Sequence, residues 1–227
     1  MRAKTVADQL VRQLQDAGVQ RIYGIVGDSL NPVVDAVRRS GGAAKGGIDW
    51  IHVRHEEAAA FAAAAEAQVT GKLAVCAGSC GPGNLHLING LYDADRSGAP
   101  VLAIAAQIPS EQIGLGFFQE THPDRLFVEC SRYAELIGSP AQAPRVTASA
   151  IAHATALSGV AVITLPGDIA DRPAEGKAPS VPHTGVPAIV PDQADVQALA
   201  DAVNGAGKVA IFAGEGVREA REELLSL

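Results

Sequence analysis

Three short runs constrain this chain more than anything else in it: LAVCA at residues 73–77, VLAIAA at 101–106 and VAVITL at 160–165. Each is apolar without alternation, so it has no face to turn toward water and must be covered on both sides. Strands of that kind belong to parallel sheets whose crossovers are helices. The chain has the patterns for those covers. Val6, Leu10, Val11 and Leu14 repeat at helical spacing, and Gly18 stands just past them, where helix ends favour glycine. RIYGIV (21–26) and WIHV (50–53) read as two more strands. Residues 31–39, 57–70, 85–95 and a stretch including 148–156 read as helices. This alternation predicts an α/β fold: a doubly wound parallel sheet with helices on both faces, and five strands before residue 170.

The pattern changes beyond Asp168. DRPAEGKAPSVPHTGVPAIVP (171–191) holds five of the 13 prolines and no periodicity, and reads as a linker. A helix at 192–203, a strand VAIFAG at 209–214 and a helix start at Val217 then open a second α/β unit. The expected layout is a domain over 1–170, a linker over 171–191 and the beginning of another domain over 192–227. A single strand cannot bury both its faces, so the sequence reads as part of a longer polypeptide. A net charge of −7 without a basic stripe argues against a nucleic-acid surface. No apolar stretch is long enough to span a bilayer, and the amino terminus lacks the apolar core of a signal peptide, so a cytoplasmic protein is expected. Cys76, Cys80 and Cys130 form no even set and no C-x-x-C pair; they are expected to be buried free thiols.

Several stretches could carry chemistry. In WIHVRHEEAAAFAAAAEA (50–67), Arg54, His55, Glu56 and Glu57 stand at the mouth of a helix in which eight of the ten residues from 58 to 67 are alanine. The two glutamates either complement the helix dipole, or one of them is held out of water to do chemistry. GDSLNP (27–32) follows the first strand and lies where open α/β sheets gather ligands, or it is an ordinary N-cap. GSCGPGNLH (78–86) is rich in glycine but spells neither phosphate-binding fingerprint, which leaves a flat organic ring against the loop or a tight structural turn. GFFQETHP (116–123) lies in a long aperiodic segment of the kind that is often functional, its phenylalanines serving either a site or the core. VAIFAGEG (209–216) meets a dinucleotide phosphate or is a plain turn. The six histidines include no i, i+4 pair, so a protein-built zinc site is not expected, and no G-x-S-x-G elbow is present.

These pieces occur together, in this order, in one family. VRHEEAAAFAAAAEAQVTGKLAVCAGSCGPGNLHLINGLYDA (53–94), PVLAIAAQIPS (100–110) and FFQETHP (117–123) resemble the amino-terminal pyrimidine-binding domain of thiamine-diphosphate enzymes. Within that superfamily they resemble the bacterial quinone-linked pyruvate dehydrogenases, also called pyruvate oxidases. The resemblance is dense over residues 1–170 and thin beyond, where it matches the start of the family's middle, FAD-binding domain. It implies that Glu56 hydrogen-bonds the cofactor's pyrimidine nitrogen and shares a proton with it, so that the neighbouring imine can deprotonate the thiazolium ring. It implies that Gly81, Pro82, Gly83 and Asn84 bind the cofactor, with Pro82 and the adjoining glycines flooring the ring. Gly27, Asp28, His86, Phe118 and Gln119 would border pyruvate. Glu57 is left as a first-turn acid, and the alanine run as a surface for close packing against a partner.

The implied cofactors are thiamine diphosphate, FAD and Mg²⁺. The Mg²⁺ and diphosphate ligands and most of the FAD site fall outside these residues, so the chain alone is expected to be inactive. The implied partners are pyruvate, a membrane quinone and further copies of the protein, with active sites between subunits and the full-length protein at the inner face of the membrane. Acetolactate synthase and phosphate-dependent pyruvate oxidase share the Glu56 motif and are the nearest rivals. A non-catalytic α/β dimerisation module is the rival of another kind.

Overall fold

The apolar runs pair side by side, and the helices between them cover both faces. The computed structural model describes residues 4–177, 179 and 189–227. In the first unit, Met1–Pro187, the chain runs α1 (Val6–Asp16), β1 (Arg21–Gly24), α2 (Asn31–Ser40), β2 (Asp49–His52), α3 (Glu56–Thr70) and β3 (Ala74–Gly78). It continues through the short α4 (Pro82–Leu85), α5 (Ile88–Arg96), β4 (Val101–Gln107), the short α6 (Pro123–Leu126) and β5 (Tyr133–Leu136). Last come α7 (Ala143–Ala156), β6 (Val160–Pro166) and the short α8 (Gly167–Asp171). Six strands form one sheet in the order β2-β1-β3-β4-β6-β5, every pair parallel. None of the helices among the described residues is long and apolar enough to cross a membrane.

Alternation along each strand sorts the core into two layers. Leu102, Ile104 and Ala106 of β4, with Ile163 and Leu165 of β6, face α1, α2 and α7. Val101, Ala103 and Ala105, with Ala74 and Cys76 of β3, face α3 and α5. The second layer is built from small residues on both sides. Ala59, Ala60, Ala63, Ala64 and Ala67 of α3 are all buried there. A Cβ added to Gly90 of α5 would stand 2.5 Å from Ala60 Cβ and 2.7 Å from the Phe61 amide nitrogen. These buried alanines therefore serve backbone-to-backbone packing of α3 on α5 within this chain, while Ala58 and Ala65 on the other face stay exposed.

Local signals set the ends of these helices. Thr5 caps α1, its hydroxyl accepting from the Asp8 amide while the Asp8 carboxylate accepts from the Thr5 amide, a capping box in which Asp8 stands in for the usual Glu or Gln. The His55 imidazole Nδ1 accepts from the Glu57 amide at 3.2 Å and caps α3. Gly71 ends α3 with φ of 67°, a left-handed conformation that costs glycine little. Deep in the first layer, Gln13 Nε2 donates to the Pro144 carbonyl at 2.9 Å and ties α1 to α7 without leaving its donor unpaired.

Several expectations need correction. The sheet has a sixth strand, β5, which the periodicity missed because YAEL is half-exposed at the sheet edge and shows no continuous apolar run. The first strand ends at Gly24 rather than residue 26, and α3 begins at Glu56 rather than residue 57. The helix expected over 85–95 is α5, which begins at Ile88, and the short α4 precedes it and ends at Leu85. The first unit also extends past residue 170: the Val6 amide donates to the Arg172 carbonyl at 2.9 Å and the Ala174 amide to the Lys4 carbonyl at 3.1 Å, stitching the chain back to its first helix. Much of the expected linker, residues 178 and 180–188, lies outside the described residues. In the second unit, Ala188–Leu227, α9 (Gln193–Gly205) and α10 (Arg221–Ser226) form, but residues 209–214 do not make the expected strand. Val209, Ile211 and Phe212 are exposed, and without a neighbouring strand their backbone has no ladder to join.

Candidate functional site

The strand order reverses at β1 and β3: from β1 the chain passes outward to β2, and from β3 it passes the other way to β4. Loops leaving adjacent strands at such a point diverge and open a crevice at the carboxyl edge, where ligands of open α/β sheets bind. Here the loop after β1 carries Gly27, Asp28 and Ser29, and the loop after β3 carries residues 79–81. The two loops touch. A Cβ on Gly27 would stand 2.4 Å from Ser79 Oγ, the Ser29 and Ser79 hydroxyls are 2.9 Å apart, and the Cys80 amide donates to Ser29 Oγ at 3.0 Å.

Glu56 stands at this edge as the first residue of α3, 8 % exposed. Its Oε2 lies 3.2 Å from His86 Nδ1. Its Oε1 faces Gly83, whose added Cβ would come within 3.3 Å, so the lack of a side chain at Gly83 keeps the space before the carboxyl free. Glu57, one residue on, is half-buried and accepts from Asn89 Nδ2 at 2.8 Å. The His55 and His86 rings stack with centroids 4.4 Å apart.

On the other flank of the glycine loop is a cleft of about 220 Å³. Its walls come from four strand ends: Asp28 and Ser29, Cys80, Gln107 to Pro109, and Gly167 with Asp168, closed over by Phe117, Phe118 and Gln119. Asp168 fixes two of these ends, accepting from the Ser110 amide at 2.8 Å and its hydroxyl at 2.7 Å.

The loop that carries Phe118 and Gln119 is organised by Glu120. Its carboxylate accepts from the amides of Gly114 at 2.6 Å, Gly116 at 2.9 Å and Phe117 at 3.1 Å, and His122 lies 3.8 Å away. These bonds, led by the one from Gly114, hold its pKa below the ordinary carboxylate value. Gln119 takes a φ of 66°, unusual for a residue with a Cβ, and its Cβ lies over Gly81, where any side chain would come within 2.8 Å of it.

The residues singled out from sequence thus divide into groups. Glu56, Gly83 and His86 come together on one flank of the glycine loop. Asp28, Phe118 and Gln119 line the cleft on the other, with Gly27 beneath the Ser79 contact and Gly81 beneath Gln119. His86 is therefore placed with Glu56 and not among the cleft residues. Asn84 is fully buried and its amide is spent, donating to the Ala106 carbonyl at 2.9 Å and accepting from Thr121 Oγ1 at 3.1 Å. Pro82, by contrast, is exposed. Sequence reasoning missed Ser29, Cys80, Gln107 and Asp168. Asp168 had a usable signal, since a Gly-Asp pair follows β6 much as one follows β1. All three cysteines are free and buried, as expected. Burial pushes the thiol of Cys76 up to about 12 and that of Cys130 up to about 11, which leaves both inert at neutral pH.

Comparison with known proteins adds the following. Residues 4–126 match the family described as thiamine pyrophosphate enzyme, N-terminal TPP binding domain. The chain is 57 % identical over 98 % of its length to an uncharacterised 42.6 kDa protein of Pseudomonas amyloderamosa, 55 % of which is covered. It is 38 % identical over 96 % of its length to a pyruvate oxidase of Lactiplantibacillus plantarum, 36 % of which is covered. It is 35 % identical over 72 % of its length to the large subunit of acetolactate synthase isozyme 2 of Escherichia coli, 29 % of which is covered. The chain thus spans about half or less of the length of these relatives.

Proposed function

This chain belongs to the thiamine pyrophosphate enzyme family, through that family's N-terminal TPP binding domain, and we propose that it forms the pyrimidine-binding part of an enzyme that decarboxylates pyruvate. The single observation that carries this reading is Glu56: a carboxyl withdrawn from water at the carboxyl edge of the sheet, facing a space that Gly83 leaves clear. Thiamine diphosphate, when bound, supplies the electron sink for decarboxylation of a 2-keto acid. The chain's residues supply the setting. Gly81, Pro82 and Gly83 form a floor without bulky side chains, and Glu56 holds a proton against the pyrimidine nitrogen. Phe118 and Gln119 bound the pyruvate side together with Gly27 and Asp28, and His86 reaches that space only from the Glu56 flank.

For the longer protein, the proposed reaction converts pyruvate, water and a quinone to acetate, CO₂ and the quinol, with FAD carrying the two electrons and Mg²⁺ anchoring the diphosphate. The proposed assembly is a homo-oligomer with peripheral access to a membrane quinone. No residue of this chain is assigned to FAD, Mg²⁺ or quinone. Likeness to a pyruvate oxidase over nearly the whole chain supports this reading. A second reading, condensation of two pyruvates, is supported by likeness to acetolactate synthases, in one case over an equally long span, at lower identity. Product analysis of the full-length enzyme separates them: acetate with quinone reduction is expected, acetyl phosphate would indicate the phosphate-dependent branch, and acetolactate the second reading. In the same protein Glu56→Gln keeps the shape but not the exchangeable proton. Pyruvate turnover should fall by about 10²–10⁴-fold, the usual weight of general acid–base catalysis.

A further inference from the structure

The spacing of histidines in the sequence offers no metal-binding pair, yet the fold brings His55 and Glu56, at the start of α3, against His86, just beyond α4. His86 Nδ1 and Glu56 Oε2 are 3.2 Å apart. Two ligand atoms on one zinc ion, each at about 2.0–2.1 Å in a tetrahedral site, stand roughly 3.3 Å from one another. The pair is already spaced to chelate. The His55 ring stacks on that of His86, their planes 26° apart, and one ligand atom from each of the three residues lies within 4.8 Å of the others. The two imidazoles are about half exposed, 50 % and 46 %, against 10 % for the Glu56 side chain. The rings can turn toward an ion without disturbing the core, while the buried carboxylate gives it a fixed corner.

We propose that His55, Glu56 and His86 form a binding site for a divalent transition-metal ion of the zinc class. Two imidazoles and one carboxylate with a fourth position open is a donor set zinc accepts, whereas Mg²⁺ takes oxygen ligands and should not bind there. Glu57 is not among the converging ligand atoms, and one of its oxygens accepts from Asn89. Binding is opposed by two visible contacts. The first is the hydrogen bond between His86 Nδ1 and the Glu56 carboxylate, whose proton the ion must displace. The second is at His55. His55 Nδ1 accepts the Glu57 amide, and a neutral imidazole has a single acceptor nitrogen. The ion must therefore draw His55 out of its capping role. The site rests on this geometry alone and stands whether or not Glu56 has the cofactor role proposed above.

The test is calorimetric titration of Zn²⁺ into the 227-residue chain, with Co²⁺ absorption bands reporting coordination geometry. One equivalent should bind, and Co²⁺ should give the intense visible bands of a four- or five-coordinate ion. His86→Ala should weaken binding at least tenfold. His55→Asn should do the same while preserving the cap, since asparagine caps helices well. His153→Ala, on α7, should change nothing. Circular dichroism of each variant distinguishes a lost ligand from a lost fold. Absence of saturable Zn²⁺ binding to the folded chain would overturn the proposal, as would binding unchanged in both His55→Asn and His86→Ala.

Discussion

At the scale of single residues, Glu56 and Glu57 show how neighbouring identical side chains receive different work. Helix α3 turns Glu56 inward against Gly83 and His86 and leaves Glu57 outside on Asn89. Glu57→Gln should therefore cost the first-turn dipole contact, about 0.3–1 kcal/mol of stability, and the charge on the Asn89 hydrogen bond, and leave the proposed pyruvate turnover of the longer protein near normal. Equal small losses at the two positions would return both to the role of helix-start charges. Glu120 carries the other residue-scale prediction. Its depressed pKa means that its contribution to loop order is present above the ordinary carboxylate range and is lost as pH falls through its lower folded value. Hydrogen exchange at the Gly114, Gly116 and Phe117 amides should accelerate in Glu120→Gln at neutral pH, because a neutral amide offers a single, weaker acceptor oxygen. Unchanged exchange in that variant would mean that glycine geometry alone holds the loop.

At the scale of elements, the contact between α3 and α5 is the most exacting in the first unit. Gly90→Ala pits two effects against each other. Alanine in a helix gains about 1 kcal/mol over glycine, but the new Cβ meets Ala60 Cβ at 2.5 Å and the Phe61 backbone nitrogen at 2.7 Å, neither of which is a flexible chain end. Overpacking of this kind costs roughly 1–3 kcal/mol, so the variant should be the less stable one in urea unfolding. A gain in stability would show that the helices can separate. Strand β5 illustrates the opposite case. It holds the sheet edge beside β6 with half-exposed residues, and an edge strand covered on one side need not advertise itself by an apolar run.

At the scale of the molecule, the sheet places Glu56, the glycine loop and the cleft on one edge. Every strand points the same way, so every loop that follows a strand emerges there. The chain nevertheless matches only part of its relatives' length, and no residue in it is assigned to a diphosphate. The 227-residue chain should accordingly bind thiamine diphosphate weakly, and added Mg²⁺ should not tighten it. Calorimetry that found tight, Mg²⁺-dependent binding would place a diphosphate site within these residues and contradict the division of labour proposed here.

Continuous apolar strands and alternating periods determined the α/β class and the parallel sheet by themselves, because a strand with no polar face has few ways to be buried. The motif order around residues 53–123 likewise pointed to the family. Pairing decided the rest. Whether YAEL is a strand depends on an edge being available to it, and whether VAIFAG is one depends on a partner that the second unit does not supply. The alanine run marks close packing without naming what packs there, and only the fold identifies α5. His86 meets Glu56 across 30 residues of sequence, a separation over which spacing rules carry no information, since the contact is made by two loops converging at a sheet edge.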